Sequence, residues 1–208
     1  MSFTTSTYLR RADRDDLDTI LSWMEDPDFQ RFLYGDAAQS PRQIRERVIQ
    51  MLGRSPGNIM PSAVYLLIES KENGPLGMIS FQNISWRNRS CSIDVYIGDK
   101  IRRNSMLVTI SVFRALEYAF DELNLHRISA LIYAFNRASW RIFEMAGAKR
   151  ELVLPRHVIR EGELYDAYGY GLLRHEFNAI REKHGAVSER FCLESMIAFL
   201  SQNLEESP

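Results

Sequence analysis

Between residues 91 and 124 the chain changes from one hydrophobic rhythm to another. From Cys91 to Ile97, β-formers alternate with polar residues, and Gly98-Asp99 then breaks the run. Beyond the break, Met106, Ile110, Phe113, Leu116, Phe120 and Leu123 recur at helical spacing. The pattern predicts a strand, a basic turn carrying Arg102 and Arg103, and an amphipathic helix. A helix start directly after two arginines gathers unpaired backbone N–H groups and two guanidinium groups in one small volume, which suits an anionic ligand.

The flanking sequence supplies further elements. Residues 8–12 alternate as a short strand, and Asp13 to Asp16 form an acidic, capping start for a helix carrying Leu17, Ile20, Leu21 and Met24. Asp26-Pro27 ends it. Phe29, Phe32, Leu33 and Tyr34 make an aromatic segment, and Ser40-Pro41 opens a second helix that runs to about Gly53. Residues 54–61 read as a loop and 63–68 as a central strand. Asn73-Gly74 predicts a tight turn into a strand at 76–82, and a second turn at 86–89 leads into Cys91. After the long helix come a strand at 127–133, a helix at 137–146 closed by Gly147, and a hairpin whose strands flank Glu161-Gly162-Glu163. This order is that of an α+β protein with a mixed sheet of about six to seven strands flanked by helices.

The bulk properties narrow the choice of partners. A chain of 208 residues suits one well-buried core and is short for two. With 26 basic and 27 acidic residues intermixed, nothing resembles a nucleic-acid stripe or a polybasic membrane patch. No apolar stretch approaches the ~20 residues of a membrane span, so a cytoplasmic location is expected. Cys91 and Cys192 are read as core thiols, and His126, His157, His175 and His184 lack metal-ligand spacing, so no metal is expected.

Several segments, taken in order, resemble the GNAT superfamily of acyl-CoA N-acyltransferases, in particular the branch acting on ribosomal-protein N-termini, polyamines and aminosugars. They are Leu9-Arg10-Arg11-Ala12, Gly77-Met78-Ile79-Ser80, Trp86 to Ser90, Tyr96-Ile97-Gly98-Asp99, Leu123 to Ile128, Tyr133 to Ser139, Gly147-Ala148, Arg160 to Asp166 and Gly171-Leu172-Leu173. The resemblance implies a GNAT domain over 1–174 and leaves 175–208 as a helical extension. It also implies that the strand at 91–97 splays away from the one at 127–133 to admit the pantetheine arm of acetyl-CoA. The arm would pair with the backbone of Val95, Tyr96 and Ile97 as an added strand. Arg102, Arg103, Asn104 and Ser105 would hold the pyrophosphate, with Asn136 and Ser139 beside the pantetheine. In such a site a deprotonated amine attacks the thioester directly, and strand backbone N–H groups stabilise the oxyanion.

Three features depart from the family pattern. Met106 and Val108 stand where the pyrophosphate turn has small residues, and extra bulk in a packed contact typically costs ~1–3 kcal/mol. Phe143 replaces a tyrosine that protonates the departing thiolate in many members. The strand carboxylate sits at Asp94, two residues beyond its usual place and so displaced by roughly 6.6 Å on the same face.

Asp94 is the candidate base, the competing reading being a salt bridge to Arg87 or Arg89. Of Tyr96 and Tyr133, both flanking the cleft, Tyr96 ranks first. Trp86 and Trp140 read as packing or rim residues. The extension offers a helix from Glu176 and a second one with Phe191, Met196, Ile197, Phe199 and Leu200, whose stripe could cover the core, a homodimer contact or the cleft. The expected activity is acetyl transfer from acetyl-CoA to a primary amine of a small molecule or peptide N-terminus. The competing expectation is a GNAT-fold protein that has lost acetyl-CoA binding and acts by binding a ligand or partner.

Overall fold

The computed structural model describes residues 7–27, 40–53, 60–98 and 106–184. Its alternating segments form strands β1 (Thr7–Arg11), β2 (Val64–Ser70), β3 (Gly74–Ser85), β4 (Ser90–Ile97), β5 (Arg127–Tyr133), β6 (Lys149–Arg160) and β7 (Glu163–Leu173). The segments of helical spacing form α1 (Leu17–Met24), α2 (Pro41–Leu52), α3 (Met106–Glu117), α4 (Arg137–Met145) and α5 (Arg174–His184). The strands make one seven-stranded sheet in the order β1-β2-β3-β4-β5-β7-β6. Neighbours pair antiparallel except β4 and β5, which are parallel.

Strand alternation divides the core into two layers. Val64, Leu66 and Ile68 of β2 and Ile79 and Phe81 of β3 point to the main core with α3, α4 and α5. Tyr65, Leu67 and Met78 point to a smaller core under α1 and α2, where Ile20, Leu21, Met24, Ile44, Val48 and Leu52 meet them. Residues 63–68 were expected as a central strand. Both faces of β2 are covered and both its edges are paired, to β1 on one side and β3 on the other. The long helix ends in a π turn at Tyr118–Glu122 rather than continuing as regular α-helix to Leu123. The aromatic segment at 29–34, most of the loop at 54–61, the turn with Arg102, Arg103, Asn104 and Ser105, and the second tail helix with Cys192 lie outside the described residues.

Local chemistry fixes where α1 and α2 sit. Asp13 and Asp16 form a reciprocal capping box, and Ser40 and Gln43 form another with Pro41 at the first helical position. Arg10 binds both oxygens of the buried Asp16 at 2.7 and 2.8 Å and also pairs with Glu69, which ties β1, β2 and the approach to α1 together. Burial alone would raise the Asp16 carboxyl, but the Arg10 guanidinium reverses this and holds it below the usual carboxylate range. At the other end of α1, the Tyr96 hydroxyl donates to the Trp23 carbonyl at 3.2 Å, and the two rings lie 5.9 Å apart.

Gly98 sits under the Trp23 indole, where a Cβ would meet ring atoms at 2.2 Å. Gly98→Ala is therefore expected to lower the unfolding free energy by about 1–3 kcal/mol, because a rigid ring must shift. Urea denaturation checks this; a variant as stable as the wild type would show that α1 is not seated on the end of β4 as described.

Candidate active site

The parallel strands β4 and β5 pair only at Ser90 with Arg127, Cys91 with Ile128 and Ser92 with Ser129. From Ile93 onward β4 keeps its partner β3 on one side but has no ladder partner in β5. The expected splay is therefore present. Its closed end is tied by Arg89, whose guanidinium donates to the Asn124 carbonyl and side-chain oxygen at 2.7 Å each, while the Arg89 carbonyl accepts from the backbone of His126 and Arg127. Arg174 adds bonds to Leu125 O at 3.0 Å and to Asn124 Oδ1 at 3.1 Å.

The two lips of this V present different chemistry on their two faces. Cys91, Ile93, Val95 and Ile97 turn into the main core, and burial pushes the Cys91 thiol up to about 12, so it is an inert packing group. Ser92, Asp94 and Tyr96 turn to the opposite face. Ser129, Leu131 and Tyr133 lie on that same face of β5, since the residues between them belong to the main core. Beyond the last pair, Asp94 and Tyr96 follow Ser92 on this face of β4 as Leu131 and Tyr133 follow Ser129 on β5.

Asp94 is held by its neighbour strand. Gln82 Nε2 donates to Asp94 Oδ2 at 2.7 Å and to Ser80 Oγ at 3.0 Å. The expectation of a salt bridge to Arg87 or Arg89 fails for Arg89, which is spent on Asn124, and no ion pair joins Arg87 to Asp94 among the described residues. Asp94 retains solvent access, yet the surrounding protein desolvates it and raises its carboxyl above the ordinary range, with the Arg47 charge pulling it back. A carboxylate that is reachable from water but short of solvation is what the floor of a cleft produces.

On the β5 lip, the Tyr133 hydroxyl accepts from Arg160 Nη2 at 2.8 Å, and the Arg160 guanidinium lies 5.0 Å from the Tyr133 ring centre. Burial raises the Tyr133 hydroxyl above its usual value while Arg160 opposes the shift. Asn136 occupies the N-cap of α4, but its side chain makes no capping bond, and Ser139 follows in the first turn, half-buried. Phe143 is 4% exposed and packs in the main core, as does Val108 at 2%, with Met106 half-buried against it. The extra bulk of Val108 thus fills core space rather than projecting outward from the start of α3. Trp86 and Trp140 each spend the indole N–H on a backbone carbonyl, Pro61 and Ala134 respectively, and pack on the core.

An acetyltransferase (GNAT) domain model matches residues 7–149, which spans β1 through the beginning of β6. The chain belongs to the GNAT acetyltransferase family. It is an N-acetyltransferase, in keeping with its relatives. An uncharacterized N-acetyltransferase, p20, from Bacillus licheniformis is 22% identical over 84% of this chain and 97% of its own length. Another, YnaD from Bacillus subtilis (strain 168), is 38% identical over 63 residues, covering 30% of this chain and 37% of its own. Among solved structures, the spermidine N-acetyltransferase from Vibrio cholerae in complex with CoA and spermine superposes with a TM-score of 0.67 at 19% identity. That match covers 83% of this chain and 98% of the other, and it establishes the shared fold.

In this GNAT acetyltransferase three site residues escaped the sequence. Gln82, Tyr65 and Arg47 come to Asp94 from β3, β2 and α2, and only the register connects them: Tyr65 pairs with Ser80, and Ser80 pairs with Asp94.

The raised Asp94 carboxyl carries a sign for stability. Its folded-state value lies above its unfolded value, so the folded protein holds the proton more tightly and loses stability as pH rises through that interval. Asp94→Asn is therefore expected to be more stable than wild type at neutral pH, with the gain shrinking to nothing as pH falls to the ordinary carboxylate value near ~4. Thermal melts of both proteins across pH check this; a gain that is constant with pH would mean Asp94 is as well solvated as in the unfolded chain.

Proposed function

We propose that this GNAT enzyme transfers the acetyl group of acetyl-CoA to a primary amine of a small molecule or a peptide N-terminus. The observation that carries the reading is the parting of β4 from β5 beyond Ser92, with Asp94 on the face beside the gap. An exposed strand edge offers N–H and C=O groups at strand spacing, which is what an extended amide-bearing arm needs. Val95, Tyr96 and Ile97 would pair with the pantetheine of acetyl-CoA, and the uncommitted side chains of Asn136 and Ser139 would meet it from α4. Arg102, Arg103, Asn104 and Ser105 would take the pyrophosphate. Bulk at Met106 and Val108 is directed at the core, which supports retained binding over a protein that has lost its donor.

Acetyl-CoA supplies an activated thioester. Asp94, fixed by Gln82, would accept the proton of the incoming ammonium, directly or through one water, and leave a neutral amine whose nitrogen forms the new C–N bond as the C–S bond breaks. Backbone N–H groups of the open β4 edge would stabilise the charge developing on the carbonyl oxygen. Tyr96, anchored to Trp23, would form a wall that orients the acceptor. The spermidine acceptor named for the Vibrio cholerae enzyme fits the amine class without fixing the compound.

Two measurements test this. Acetyl-CoA at 100 times its dissociation constant should stabilise the protein by about 2.7 kcal/mol through linkage. Asp94→Asn should bind acetyl-CoA as the wild type does but lower kcat by about 10²- to 10⁴-fold, the usual range for a lost general base. Absence of calorimetric binding at millimolar acetyl-CoA would overturn the assignment.

A further inference from the structure

On the acceptor face, one row across three strands runs from Tyr65 through Ser80 to Asp94. Helix α2 packs through Ile44, Val48 and Leu52 with Leu67 and Met78, the next row on that face, and Tyr65 packs against the same cluster. Arg47 flanks that buried stripe, exposed, and its charge reaches both ends of the row, acting on Tyr65 and on Asp94. Among the described residues Arg47 has no ion-pair or hydrogen-bond partner, although Arg42, on the same helix, is paired with Glu46 at 2.9 Å. The Tyr65 hydroxyl is half-buried and likewise has no hydrogen-bond partner there. Asp94 Oδ2 is taken by Gln82, which leaves Oδ1 open.

The row therefore offers one carboxylate oxygen, one phenol and one guanidinium, all uncommitted and of mixed sign. A polyamine carries several ammonium groups and no anion, so Arg47 would repel it where it approaches Asp94. An amine that also bears a carboxylate or phosphate satisfies every group: the amine at Asp94, the anion at Arg47 in the paired geometry a guanidinium favours, and the phenol donating to either. We infer that Arg47 and Tyr65 select an acceptor amine bearing an anionic group, and select against polyamines. The inference rests on the acetyl-transfer reading for its chemistry but not for its binding geometry.

The test uses matched probes on the full-length protein: ω-amino acids of three to six carbons against α,ω-diamines of the same length. Binding is read by thermal shift and ligand-observed NMR, and turnover by release of free CoA thiol. Wild type should bind and acetylate at least one ω-amino acid with KM tenfold or more below that of the matching diamine. Arg47→Glu should reverse that order, and Arg47→Lys, which keeps the charge but not the fork, should weaken it without reversal. Arg47 is solvent-exposed on its helix, so Arg47→Lys should melt as the wild type does, and Arg47→Glu, which loses the charge that offsets Asp94, should melt somewhat lower at neutral pH but fold. Diamines preferred by the wild type, or a preference untouched in Arg47→Glu, would overturn the inference while leaving acetyl transfer intact. Amino-acid preference in binding, with no thiol released for any probe, would uphold it and sink the transfer reading instead.

Discussion

The short parallel pairing of β4 and β5 is the constraint on which the site depends. Two strands joined for three residues and then free must be held firmly where they meet, or the gap would close or the sheet would separate. The clamp is made by Arg89 and Asn124, both with positive φ, 54° and 52°, so each spends backbone strain to turn its chain into the junction. Asparagine tolerates this conformation and arginine does so less readily, and the two bonds from Arg89 to Asn124 compensate. Arg174, at the start of α5, binds the same loop from the third side. The V-shaped opening is thus a consequence of a tightly bonded vertex, not of weak strands.

From that vertex, alternation along β4 does two jobs with one strand. Ile93, Val95 and Ile97 anchor the lip to the main core, which keeps it in place where the ladder to β5 has ended. Asp94 and Tyr96, one step out of phase, are thereby forced onto the acceptor face. Tyr96 gives its hydroxyl to α1 and Asp94 takes its support from Gln82, so Tyr96 is tied to a helix while Asp94 is held within the sheet. A carboxylate short of solvation holds its proton more readily than one in water. That moves it toward the range in which a base can exchange protons with an amine near neutral pH.

Much of this was legible in the chain because period two and period 3.6 are written residue by residue. The change of rhythm at Gly98, the Asn73-Gly74 turn and the caps at Asp13 and Ser40 each rest on neighbours within a few positions. Asp94 was legible as a polar residue out of place on an apolar strand. Its partners were not, because Gln82 and Tyr65 reach it through sheet register and Arg47 through helix packing. For the same reason Arg89 was misread: local proximity suggested Asp94, whereas the fold carries it to Asn124, 35 residues on. Residues 63–68 were legible as an interior strand, since apolar residues on both of its faces require covering layers on both.

The substitution at Phe143 now takes its place in the energetics. A tyrosine there would protonate the departing thiolate, but a thiol with pKa near ~8.5 departs without much help, so the acid is the least demanding role in the reaction. The amine is different: an alkylammonium with pKa near ~10.4 is overwhelmingly protonated at pH 7 and cannot attack until it loses that proton. Selection on such a site should therefore preserve the base and its support more stringently than the acid. On the proposed reading that asymmetry matches the two positions: Asp94 is braced by a 2.7 Å bond from Gln82, and Phe143 is given over to the hydrophobic core.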